Sequence, residues 1–255
     1  MMPFSDTLIH NTLIYDTPIF DAHAHAGDAA ERSLRIRTRT RTILSCGNPA
    51  QAQEAESICR TSSVFSMTAG IHPWYAADVR MDSMYPWMEQ SACIGEIGLD
   101  SVWCNTPMDV QRCAFMAQLD WAAAHGKGIV LHTKGCEEEI ARRTEGFPHP
   151  IVVHWYSGGQ DALERFLAQN CFFTIGPDVM INPAVQAVAK HVQDDRILFE
   201  TDGMDAVRWA LGSAAAQEPA GALHASLLAA AELRNQSPKT LLENANGNFL
   251  RLFCR

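Results

Sequence analysis

The chain has 255 residues, of which 47% are hydrophobic and 19% charged, enough apolar material for one sizeable core. A formal net charge of −9 argues against a general electrostatic grip on nucleic acid or anionic lipid. No apolar run approaches the roughly 20 residues that a membrane helix needs.

The N-terminus, MMPFSDTLIHNTL, lacks the basic start and apolar block of a secretory signal, and residues 1–17 read as a lead-in. The first apolar run, 18–23, opens the stretch IFDAHAHAG and is followed by ERSLRIRTRTRT. From Arg35 to Arg41 the arginines alternate with Ile36, Thr38 and Thr40, so an extended chain would present four guanidinium groups on one side. That pattern reads as a solvated edge or loop, or as a clamp for phosphate oxygens, with Arg37 and Arg39 among its members. Further apolar runs lie at 41–46, 66–72, 92–98, 127–132, 150–155, 171–176 and 196–202. Between them stand helical patterns such as PAQAQEAESICR, MDVQRCAFMAQLDWAAAHG, QDALERFLAQ and PAVQAVAKHVQ. In the second of these Val110, Ala114, Ala117 and Trp121 form one stripe at spacings of three and four. Residues 219–255 add two helices, the second opened by Ser237 with Pro238 at its first position.

Eight strand candidates with intervening helices predict a single-domain (β/α)8 TIM barrel. The runs are continuously apolar, as strands covered on both faces should be. An open doubly wound sheet is the competing fold, but the glycine-rich phosphate turn it would want after the first strand is missing. Eight cysteines without a CxxC pair predict reduced thiols packed as small apolar groups, and hence a cytoplasmic protein.

Polar residues gather where these strands end. His23 and His25 follow the first, His72 the third, Glu96 and Asp100 the fourth, His132 the fifth, His154 the sixth, and Glu200 and Asp202 the eighth. A barrel places its active site at this end. Residues i and i+2 of a strand point the same way, which lets His23 and His25 converge on one ion and turns Glu200 and Asp202 inward together. So many imidazoles and carboxylates are too many for one tetrahedral ion and suit two, of zinc, manganese, iron or nickel, with magnesium less at home. His10, His125, His149, His191 and His224 fall at helix ends or in loops and read as structural or surface residues. Trp74, Trp155 and Tyr156 flank the expected mouth, where they either stack on a ring or roof the barrel; the roof is the preferred reading.

The chain resembles the TatD-like deoxyribonuclease family of metal-dependent hydrolases, within the amidohydrolase superfamily. The resemblance rests on FDAHAHAG, AGIHPW, IGEIGLD, the Gln111–Phe115–Gln118–Leu119 spacing, VLHTKG, VVHWYSGG, LFETDG and NANGNFLRLF, in the family's order. It implies that His23 and His25 hold one metal and that Glu96 bridges to a second, held by His132 and His154. It also implies Asp202 as a ligand on the hydroxide side, His72 near the substrate phosphate, and Glu200 as a second carboxylate at the hydroxide or leaving-group side. Departures fall on substrate-facing positions. His132-Thr133-Lys134 stands where the family has H-x-R, Gly203-Met204 follows Asp202, and Trp155-Tyr156-Ser157 keeps only part of the sixth motif. The segment after His25 is short, so the usual first helix is expected to be lost or reduced.

The chemistry so implied is hydrolysis of a phosphoester, DNA among the candidate substrates. Two cations lower the pKa of a water and neutralise charge on oxygen. Asp202 orients or deprotonates that water, and Glu200 or a water assists the leaving oxygen. Lys134 with Arg37, Arg39 or their neighbours would hold other phosphate oxygens. Hydrolysis of an amide or lactone bond by the same metals, and a non-catalytic barrel that binds a partner, are the rival readings.

Overall fold

The apolar runs form strands β1 (Asp21–Ala24), β2 (Thr42–Cys46), β3 (Phe65–Ala69), β4 (Cys93–Gly98), β5 (Gly128–His132), β6 (Ile151–Val153), β7 (Phe172–Ile175) and β8 (Ile197–Phe199) in a computed structural model. The structure describes residues 17–212 and 218–254; the lead-in up to residue 16, with His10, lies outside them. All neighbouring strands pair in parallel and in chain order from β1 to β8. The amide of Asp202, just past β8, donates to the carbonyl of His23 in β1 at 3.0 Å, so the last strand returns to the first. The expected (β/α)8 barrel is the fold found.

The helices are α1 (Ala29–Arg37), α2 (Pro49–Cys59), α3 (Tyr85–Met88), α4 (Met108–Ala124), α5 (Glu137–Arg143), α6 (Gln160–Ala168), α7 (Pro183–His191), α8 (Met204–Leu211), α9 (Pro219–Arg234) and α10 (Pro238–Phe253). Buried side chains of the strands and helices merge into one large core, while Ala22, Ile43, Val130, Val152 and Leu198 pack in a second with Phe249, Leu252 and Phe253 of α10. No described helix is long and apolar enough to cross a membrane.

The arginine-rich segment is neither an extended edge nor a loop: residues Ala29–Arg37 form the first helix, which was expected to be lost or reduced. Asp28 caps α1 by accepting from the Glu31 amide at 2.8 Å, and Glu31 meets Arg35 one turn on. The helix ends where Arg39 takes a positive φ of 55°. The alternating pattern has no face to bury as a strand, because Ile36 is exposed. Arg35 instead goes inside. It donates to Asp21 Oδ2 at 2.7 Å, to Glu31 Oε1 from two nitrogens, and to the hydroxyls of Thr42 and Thr201, each at 3.0 Å. Asp21 precedes His23 by two residues and Thr201 precedes Asp202 by one, so this buried guanidinium ties together the ends of the first and last strands.

Helix α4 corrects a second expectation. Its buried face is Gln111, Phe115, Gln118, Leu119 and Ala122, one position on from the apolar stripe. A count of hydrophobic residues misses that face because two of its members are glutamines. Gln118 accepts from the Ile71 amide at 2.6 Å and donates to the Ile71 carbonyl at 3.0 Å. Gln111 does the same for Asp100, at 2.9 and 3.1 Å. Two side-chain amides thus satisfy the backbone of the loops that carry His72 and Asp100, where buried N–H and C=O groups would otherwise lack partners.

Candidate metal centre at the strand ends

Strands β3, β6 and β8 stop earlier than the apolar runs suggest, so His72, His154, Glu200 and Asp202 stand on the loops just beyond them. The i, i+2 argument therefore fails for the last pair. Asp202 sits in a turn with φ 57°, a conformation Asp tolerates better than most residues, and its carboxylate faces His23 of β1 and His25 just past it. Its Oδ1 lies 3.2 Å from His25 Nε2 and 3.4 Å from His23 Nε2.

Glu96, on β4, is the hub. Its Oε2 lies 3.4 Å from His23 Nε2. Its Oε1 lies 2.8 Å from His132 Nδ1, 2.8 Å from His154 Nε2 and 3.6 Å from His72 Nε2. Gly98 makes the approach of β4 to β5 feasible: at φ 148° a Cβ there would fall 1.9 Å from the His132 carbonyl oxygen. Burial alone would raise the Glu96 pKa, but His154, His72, His23 and His132 outweigh it and hold the carboxylate well below its ordinary range. Asp202 is lowered for the same reason, chiefly by His25. Burial works against charging the histidines too; Asp202 nevertheless holds His25 up at about 9, and Glu96 with Glu200 raises His154 well above its usual value. Carboxylates stay ionised here because positive charge surrounds them.

Each of three imidazoles is fixed through one nitrogen, leaving the other for the centre. His25 Nδ1 donates to the Ser45 carbonyl at 3.2 Å, His132 Nε2 faces Asp100 Oδ2 at 3.2 Å, and His154 Nδ1 faces Glu200 Oε2 at 3.3 Å. Such outer partners set the tautomer and ring orientation of metal ligands. His23 stacks on His154 with ring centroids 4.0 Å apart. Among the described residues, the buried polar side-chain atoms without a hydrogen-bond partner are both His23 nitrogens, Glu200 Oε1 and Asp202 Oδ1. Unpartnered buried polar atoms are costly, and a metal ion among them would supply what the protein withholds. The grouping His23–His25–Asp202 is able to share an ion, so the donor set fits.

The other site expectations divide. His72 accepts the Trp74 amide on Nδ1 at 3.1 Å, which leaves Nε2–H pointing inward as a donor and not as a ligand lone pair. Lys134 lines the same cavity, of about 680 Å³, with His72, Asp202 and His25. Glu200 does not reach that surface. It is buried, with its Oε2 3.3 Å from His154 Nδ1. Arg37 and Arg39 are exposed on and after α1 and line no part of the cavity. Tyr156 is core, donating to the Gly159 carbonyl, whereas Trp74 and Trp155 line the cavity. Sequence reasoning gave Asp100 no role, although its place four residues after Glu96 within IGEIGLD was the available signal. Trp103 and Trp209 were missed because isolated tryptophans in loops and helices carry no spacing.

Comparison with known proteins accords with this geometry. The family model described as TatD related DNase matches residues 20–254. An uncharacterized metal-dependent hydrolase, YabD of Bacillus subtilis, is 24% identical over 204 residues, covering 72% of this chain and 79% of that protein. The 3'-5' ssDNA/RNA exonuclease TatD of Musicola paradisiaca is 30% identical over 150 residues, covering 53% of this chain and 55% of that nuclease. Among solved structures, the TatD homolog YjjV of Escherichia coli superposes with a TM-score of 0.79 at 19% identity, over 95% of this chain and 99% of that one. The chain belongs to the TatD-related DNase family of metal-dependent hydrolases.

Proposed function

We propose that this hydrolase cleaves phosphoester bonds at the strand-end site, with two divalent cations held there. The observation that carries the reading is the disposition of Glu96, whose Oε2 faces His23 while its Oε1 faces His132 and His154. That is the arrangement of a carboxylate shared between two positive centres. His23, His25 and Asp202 would hold one cation and His132 and His154 the other, with Glu96 between. Bound there, the pair would make a water a nucleophile near neutral pH and offset charge growing on phosphoryl oxygens.

The chain's own residues supply the remainder. The water oxygen forms a bond to phosphorus and the P–O ester bond breaks. Asp202 takes the proton that the water loses, and the departing oxygen takes one from solvent through the open cavity. His72 Nε2–H and the Lys134 ammonium donate to the other phosphoryl oxygens, where negative charge accumulates. Glu200 and Asp100 are positioning residues, holding His154 and His132 by their far nitrogens. The nucleic-acid activity named for the Musicola relative makes the end of a single strand a candidate substrate.

The test is hydrolysis by chelator-stripped protein reloaded with manganese or zinc, on a single-stranded oligonucleotide, a generic phosphodiester, an amide and a lactone. Turnover of the phosphoesters, lost on chelation and in Asp202→Asn, is expected. Turnover confined to the amide or lactone would overturn the reading.

A further inference from the structure

Outside the metal-facing groups, the cavity wall is aromatic. Trp103 lies in the loop after β4, Trp155 just past β6, and Trp209 in α8, yet the three meet. The Trp209 ring is 5.9 Å from that of Trp103 and 6.3 Å from that of Trp155, edge to face in both cases. Trp103 and Trp209 are 50% and 70% exposed. Large apolar groups gathered at one exposed rim mark a contact surface, whereas scattered ones do not. Trp155 is held rigidly: its indole N–H donates to Asp178 Oδ1 at 2.8 Å and its amide to Thr174 Oγ1 at 3.0 Å. Gly176 clears the space beside it, where a Cβ would fall 2.8 Å from the indole nitrogen.

Charge at this rim is equally particular. Lys134 Nζ lies 4.5 Å from the Trp103 ring centroid and donates to Ser157 Oγ at 3.1 Å. It is the sole lysine or arginine lining the cavity among the described residues, while Asp178 and Asp205 line the same wall. A groove that tracks a nucleic-acid backbone sets positive charge beside its aromatic platforms. Here the platforms are present and the row of cations is replaced by carboxylates.

We infer that the Trp103–Trp155–Trp209 rim stacks the planar ring of a ring-bearing phosphoester, such as a nucleobase, while a single phosphate is held by Lys134 beside it. The inference rests on the phosphoesterase reading for the identity of the phosphate. The departures from the family's motifs, Trp155-Tyr156 after His154 and Gly203-Met204 opening α8, lie on the segments that bring Trp155 and Trp209 to the rim.

The test is binding by the whole chain, followed by tryptophan fluorescence or calorimetry, with deoxyadenosine monophosphate and with ring-less deoxyribose 5-phosphate. One stacked base is worth roughly a 5- to 150-fold tighter affinity for the ring-bearing ligand. Trp209→Ala and Trp103→Ala should shrink that ratio, and Trp209→Phe should retain most of it. Equal wild-type affinities, or a ratio untouched by both alanine variants, would overturn the rim. For a longer single strand the logarithm of affinity should fall against the logarithm of salt with a slope near −0.7, the value for about one phosphate contact. A slope several times steeper would overturn the single-phosphate assignment. A ring preference without hydrolysis of any phosphoester would keep the rim and sink the proposed chemistry; hydrolysis without ring preference would do the reverse.

Discussion

Replacing Arg35 with methionine separates a structural guanidinium from a phosphate clamp. Arg35 and Asp21 are both fully buried, and the guanidinium makes five hydrogen bonds to Asp21, Glu31, Thr42 and Thr201. Methionine fills much of the volume but takes away the one cation that pairs with the Asp21 carboxylate, leaving it, away from water, with bonds from the Thr201 amide and hydroxyl and from the His23 amide. An uncompensated buried charge of this kind costs about 3–5 kcal/mol. At about 2–4 °C per kcal/mol for a domain of this size, Tm should drop by roughly 6–20 °C in a thermal unfolding scan. Asp21→Asn in the same background should recover part of the loss, because residues sharing one network are not additive. Arg37→Ala and Arg39→Ala, on exposed positions, should stay within about 0.5 kcal/mol of the parent. A near-normal Tm in Arg35→Met, combined with a large rise in KM for a phosphoester, would refute the structural role and restore the clamp.

Asp100→Asn should weaken manganese or zinc affinity by about 10–100-fold in a calorimetric titration, since it removes the carboxylate facing His132 Nε2; unchanged affinity would deny it that positioning role. Gln118→Leu should destabilise the fold by about 1–3 kcal/mol for each group left bare at Ile71, read by urea unfolding. Burial pushes the Cys59 thiol up to about 11, so at pH 8 only about one part in a thousand is thiolate. A disulfide reagent should therefore modify exposed Cys113 and Cys254 quickly and Cys59 slowly, with the slow rate rising about tenfold per pH unit; a Cys59 as fast as Cys113 would contradict this.

Much of the barrel was legible because continuous apolar runs of strand length separated by helical patterns leave few topologies open. The metal-facing residues were legible for a related reason: histidines and carboxylates are conspicuous just beyond an apolar run. What failed to show were features decided by tertiary contact. Alternation from Arg35 to Arg41 imitates a strand, but the Asp28 cap and the buried Asp21 carboxylate select a helix, and nothing local announces a partner 14 residues upstream. Glu200 and Asp202 look like a same-face pair until the strand ends at Phe199 and a left-handed Asp202 turns the second carboxylate toward β1. The face of α4 was misplaced by one residue because its glutamines are polar in sequence and buried in the fold. The tryptophan rim draws on three distant segments and has no period at all.

The most direct test of the account is phosphodiester hydrolysis by chelator-stripped protein as manganese or zinc is added back in known equivalents. Activity should be absent in the stripped chain, rise with added metal to a plateau at about two equivalents, and stay at background in Asp202→Asn that retains the wild-type far-UV spectrum. Activity that persists without metal, never appears with it, or survives undiminished in Asp202→Asn would contradict the central claim.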